Sequence, residues 1–73
     1  MILSKVKKSS VYKITKIIAT NKDMRKLKKL GVCVGEQIFL VDKIAGGGVV
    51  VKVSGADIVF GKNISGKIEV ESC

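Results

Sequence analysis

The segment Leu27-Lys28-Lys29-Leu30-Gly31-Val32-Cys33-Val34-Gly35 constrains this chain more than any other, because it obliges one element to end and another to begin. Met24, Leu27 and Leu30 recur at intervals of three and line one face of a short helix. Upstream, Thr20-Asn21-Lys22-Asp23 is a helix start of the capping-box kind, with Asp in place of Glu. Arg25, Lys26, Lys28 and Lys29 take the remaining sides, close to the negative end of the helix dipole. Gly31 suits the left-handed residue just past the helix, from which Val32 can fold back on Leu27. The spacing predicts a helix over residues 21–30 that stops sharply.

Everything else reads as strand and turn. Val11–Ile18 is rich in β-branched residues, and Ile17-Ile18 breaks its alternation, which predicts a strand with an irregularity. Gln37–Ile44 is a second strand, with Ile38, Leu40 and Asp42 on one side and Phe39 and Val41 on the other. Gly46-Gly47-Gly48 supplies a turn. It has the composition of a phosphate-cradling loop but not the Lys-Ser/Thr ending and helix that such a loop requires. Val49–Val53 and Asp57–Phe60 are strands joined by the tight turn Ser54-Gly55; the polar stretch Gly61–Gly66 then leads to a last strand, Lys67–Glu71. Five short strands with one inserted helix bury a core most economically by closing on themselves. The expected fold is mainly β, a small five-stranded SH3-like β-barrel with one short α-helix inserted after the first strand. Its core candidates are Ile14, Leu27, Leu30, Ile38, Leu40, Val51, Ile58, Phe60, Ile68 and Val70.

With 73 residues the chain reads as one domain, spanning residues 1–73. A domain of this size buries only roughly 60% of the surface its unfolded chain exposes, so no deep cleft is expected beside the core. It contains no His, the side chain most used for acid–base work near neutral pH. Asp23, Glu36, Asp42, Asp57, Glu69 and Glu71 are dispersed among lysines, so neither a catalytic pair nor a ferrous site of converging His and carboxylates is expected. Cys33 and Cys73 are too few for a secreted disulfide framework, and two lone thiols do not suggest a physiological metal site. Met1-Ile2-Leu3 gives way at once to Ser4-Lys5, unlike a signal peptide, and no apolar run approaches the roughly 20 residues of a membrane span. The reading is a cytoplasmic, non-enzymatic protein with reduced thiols, no cofactor and no membrane insertion.

Charge is unevenly distributed. Residues 1–29 carry ten basic residues against the single acid Asp23, a balance of +9, whereas residues 30–73 carry four against five, a balance of −1. Such a patch suits nucleic acid, an anionic membrane surface or an acidic protein face. Thirteen of the fourteen basic residues are Lys, however, while surfaces that read phosphates and bases favour Arg forks. A solvated lysine-rich surface accounts for the charge equally well. Tyr12, Phe39 and Phe60 are too few and too hydrophobically placed for a base-stacking platform, so a small basic nucleic-acid-binding β-barrel stands as the alternative function.

The ordered series Leu27-x-x-Leu30-Gly31-Val32-x-x-Gly35, Gln37–Val41, Val49–Val53, Ile58-x-Phe60-Gly61 and Ile68-x-Val70 resembles the FeoA family, small cytoplasmic proteins of the bacterial ferrous-iron transport system. The resemblance covers most of residues 10–71. It departs at Ser65, where the family often has Ala, and at Ser9-Ser10, where it often has a glycine. What it implies is an SH3-like barrel without activity of its own that binds FeoB, the membrane ferrous-iron transporter with a cytosolic GTP-binding domain. The protein would then be peripheral to the inner membrane through that partner. Similar barrels form the C-terminal domain of metal-dependent repressors of the diphtheria-toxin-repressor type; the DNA-binding helices of such repressors are not expected here.

Two surfaces are candidates for docking. Leu27 and Leu30 are expected to pack on the barrel, and Gly31 and Gly35 to be structural. If the helix also docks a partner, Arg25, Lys26, Leu27, Lys28, Lys29 and Leu30 form its surface, the charges setting orientation and encounter rate more than affinity. Val49-Val50-Val51 is apolar on both faces, which suggests a strand edge covered by a partner or by weak self-association.

Overall fold

The computed structural model describes residues 1–73. After a 3-10 turn at Leu3–Lys5 come β1 (Val11–Ile17), α1 (Asn21–Lys29), β2 (Gln37–Ile44), β3 (Gly48–Val53), β4 (Ala56–Phe60), the single-turn helix α2 (Lys62–Ser65) and β5 (Ile68–Ser72). The five strands form one sheet in the order β4-β3-β2-β1-β5, with every pairing antiparallel. One cluster of 14 buried hydrophobic residues serves the whole sheet, Ile14, Ile38, Leu40, Val51, Ile68 and Val70 among them.

Helix α1 starts and stops by backbone chemistry that its sequence carries. The Thr20 hydroxyl accepts the Asp23 amide at 3.2 Å, satisfying one of the donors that a helix start leaves free. At the other end Leu30 is the last capping residue and Gly31 takes φ +83°. The Gly31 amide then donates to the Lys28 carbonyl at 3.0 Å and the Val32 amide to the Leu27 carbonyl at 2.8 Å. This double closure reverses the chain and brings the buried Val32 and Leu27 side chains into the same core cluster.

Two bulges shape the sheet. In β1 the register against β5 shifts between Ile14 and Lys16, leaving Thr15 as the extra residue; its hydroxyl donates to the Glu69 carbonyl at 3.2 Å. In β2 the register against β3 shifts between Leu40 and Asp42, with Val41 as the extra residue. The second bulge corrects the expectation of strict alternation, under which Asp42 would lie on the inward side with Ile38 and Leu40. Doubling a residue turns Asp42 out to solvent, where its carboxylate accepts the Lys43 amide at 2.8 Å.

Several expectations about packing are also corrected. Leu30 is 47% exposed and lies outside the core, because the chain reverses at Gly31 before another turn of helix can carry it onto the sheet. Ile58 is only partly buried, packed against the core from β4. Leu3, Val6, Tyr12, Val32, Val49 and Val53 are buried in addition to the expected set. Val49–Val51 is not an edge: β3 is paired to β2 on one side and to β4 on the other, with Val49 and Val51 buried in the core and Val50 partly covered on the opposite face. Gly61–Gly66 is not wholly irregular. It holds α2, whose Ser65 is fully buried and donates from its hydroxyl to the Gly47 carbonyl at 2.7 Å.

The two ends of the sheet differ. The outer edge of β5 is covered by the N-terminal segment: Ile2 bridges Glu69, the Val70 amide donates to the Met1 carbonyl at 2.7 Å, and the Met1 ammonium donates to the Val70 carbonyl at 2.9 Å. The outer edge of β4 has no strand beside it.

Candidate functional site

Of the nine residues of α1, only Leu27 is buried. The helix therefore stands on a single apolar foot, with a concave surface on either side. One groove, of about 250 Å³, lies between α1 and β4; Leu27, Leu30, Ile58, Val59 and Phe60 line it, with Ile64 of α2 at its end. Asp23 and Lys26 form the charged rim on the helix side. Leu30 and Val59, 47% and 64% exposed, are the apolar residues most open to solvent here. Isolated exposed leucines are ordinary on soluble proteins, but apolar groups gathered in a concavity mark a surface that can be covered with gain.

The second concavity lies on the opposite flank, lined by Asn21, Met24, Arg25, Lys28, Val32 and Cys33. The six helix residues named as a docking surface are thus divided. Lys26, Leu27 and Leu30 face β4, Arg25 and Lys28 face the other way, and Lys29 lines neither groove. Gly35, at φ +96°, lines neither groove; it sits in the reverse turn closed by the Glu36 amide on the Cys33 carbonyl at 3.1 Å. Positive φ at the third residue of such a turn is what glycine supplies.

Five cations, Lys22, Arg25, Lys26, Lys28 and Lys29, lie on α1 itself, and five more on the N-terminal segment and β1. All ten basic residues of the first 29 are solvent-exposed. The single ion pair of the molecule, Lys52 to Asp57 at 3.8 Å, joins β3 and β4 and uses none of them. Aromatic groups are not interleaved with these cations: Tyr12 and Phe60 are buried, and Phe39 is the one exposed ring. The Tyr12 hydroxyl donates to the Lys8 carbonyl at 2.7 Å, its ring in the core.

Ile58 and Phe60 are core candidates in the sequence, but neither they nor Val59 and Ile64 belong to the docking surface it suggests. The signal was available in Ile58-Val59-Phe60, which is apolar on both faces just as Val49–Val51 is. Strand order, which the sequence does not print, decides which of two such runs is internal and which borders a groove.

The model of one protein family, described as the FeoA domain, matches residues 1–72. No curated protein sequence matches the chain. Among solved structures, the chain is similar to the crystal structure of an iron uptake regulatory protein (FeoA), with a TM-score of 0.84 and 21% identity over 96% of this chain and 93% of that one. It is also similar to the solution structure of a FeoA-like protein from Clostridium acetobutylicum, with a TM-score of 0.78 and 25% identity over 96% of this chain and 83% of that one. The manganese-activated repressor ScaR shares the fold at a TM-score of 0.90 and 20% identity, covering 100% of this chain but 35% of the repressor. The architecture is that of the SH3-like barrels found in both groups.

Proposed function

The chain belongs to the FeoA family and has a role in ferrous-iron transport, and we propose that it fills this role without catalysis, as a cytoplasmic accessory protein that binds the cytosolic part of the FeoB transporter. One observation carries the proposal: the apolar groove between α1 and β4, with Leu30 standing half exposed at its lip beside the cationic face of the helix. Covering such a surface gains from apolar burial, while the surrounding lysines speed encounter with an acidic partner and orient it.

The test is co-purification of FeoB from detergent-solubilised membranes with the tagged protein, wild type against Leu30→Asp. The expected result is recovery by the wild type, insensitive to nuclease, and loss with the folded variant. Failure of the wild type to recover FeoB, or equal recovery by both, overturns the proposal.

The unpaired cations favour a second reading, binding of nucleic acid. That route predicts a log–log salt slope of roughly −0.9 per phosphate neutralised on duplex DNA. The burial of Tyr12 and Phe60 weighs against it, since a stacking platform is left with Phe39 alone.

A further inference from the structure

We infer that the partner segment which occupies the groove is an extended, acidic polypeptide that adds to the free edge of β4 as a sixth strand. The inference rests on the partner-binding reading above and specifies its chemistry.

Three observations carry it. First, the register of the β3–β4 hairpin decides which backbone groups face outward. Val53 and Ala56 flank the two-residue turn Ser54-Gly55, followed by the pairs Lys52–Asp57, Val51–Ile58, Val50–Val59 and Val49–Phe60. The pair flanking a two-residue turn is hydrogen-bonded, and such pairs alternate with non-bonded ones. Ala56, Ile58 and Phe60 therefore spend their amides and carbonyls on β3, while those of Asp57 and Val59 point away from the sheet. No hydrogen bond from elsewhere in the chain reaches them.

Second, that edge runs along the groove. The residues Ile58, Val59 and Phe60 of β4 line one wall, and Leu27 and Leu30 of α1 the other. A strand laid on β4 would insert alternate side chains between these walls, because successive residues of a strand point to opposite faces. Backbone pairing gives affinity in this mode and the groove gives side-chain selectivity.

Third, charge selects the occupant. The groove's own rim carries Lys26 and Asp23, but the helix that bears it adds Lys22, Arg25, Lys28 and Lys29 around it, and the whole molecule carries a net charge of +8. A second copy of this chain could pair β4 with β4, but it would bring together two molecules of net charge +8. Acidic side chains on the incoming segment are attracted where a second copy is repelled. The opposite end of the sheet is not available in the same way, since Met1 and Ile2 already occupy the outer edge of β5.

The experiment uses the full chain and a synthetic peptide alternating Val and Glu, with a Val/Lys peptide as control. The readouts are affinity and amide hydrogen exchange. The expected result is binding of the Glu peptide in preference to the Lys peptide, with exchange at Asp57 and Val59 slowed at least about tenfold. Val59→Pro removes one outward amide at a position where proline is tolerated, because that amide takes no part in the β3 ladder. It should weaken the Glu peptide by about fivefold or more, the worth of a hydrogen bond. Should Val59→Pro fail to fold, a Glu peptide N-methylated at alternate residues makes the same test on the wild-type protein. Binding that leaves the two amides unprotected, binding unaffected by Val59→Pro or by N-methylation, or no preference for the acidic peptide overturns the inference. Recovery of FeoB by the wild type and by Val59→Pro alike would overturn strand addition while leaving partner binding intact. Recovery by neither would count against the partner reading itself.

Discussion

The Val32 amide closes on the Leu27 carbonyl at 2.8 Å, and both side chains are buried in the same cluster. Five residues apart in sequence, they end the helix and seat it in one step. Leu30, between them, is thereby left at the surface, and the division of labour between Leu27 and Leu30 can be measured.

Leu27→Ala removes the one buried foot of α1 and should cost about 2–5 kcal/mol in urea unfolding. Leu30→Ala should stay within about 0.5 kcal/mol of wild type, as surface substitutions do. Equal losses at the two positions would contradict the packing described.

Gly31→Ala tests the backbone alone. An added methyl group would meet Val53 Cγ1 at 3.5 Å, an ordinary contact, so the penalty comes from φ +83°. The expected loss is about 1–2 kcal/mol, seen as a fall in Tm of roughly 4–8 °C per kcal/mol for a domain of this size.

Ser65→Ala should destabilise by about 1 kcal/mol, because it deprives the Gly47 carbonyl of its hydroxyl donor at 2.7 Å in a buried setting. Hydrogen exchange should show the loss as faster local opening of the β2–β3 turn. Unchanged exchange there would show that the hydroxyl does not tie α2 to that turn.

Asp57→Asn breaks the only ion pair, yet its partners are 54% and 60% exposed. Stability should change by less than about 0.5 kcal/mol and be insensitive to salt, since pairs this exposed are screened and gain little. A loss well above that would mean the pair is worth more than its exposure allows.

Much of this architecture could be read from residues close together in the chain. The stop at Gly31, the start at Thr20, the tight turn at Ser54-Gly55 and the alternation of Ile68 and Val70 each depend on neighbours within a few positions. Other features depended on distant partners. Leu3 and Val6 carry no local strand or helix pattern, yet both are buried. Asp42 sits where alternation would bury it, and a bulge against β3 turns it out.

The class of fold, the place where the helix ends and the concentration of cations in the first 29 residues are all legible in the order of the amino acids. Those properties follow from local backbone preference and from composition. Tertiary structure alone decided that β3 is internal, that β4 is left with an open edge, and that Leu30 and Val59 face a common groove. Ile58-Val59-Phe60 and Val49-Val50-Val51 are almost the same text, apolar on both faces. Which of them borders the groove depends on the order of strands, and that order is set by the packing of the whole sheet around one core rather than by any stretch of residues.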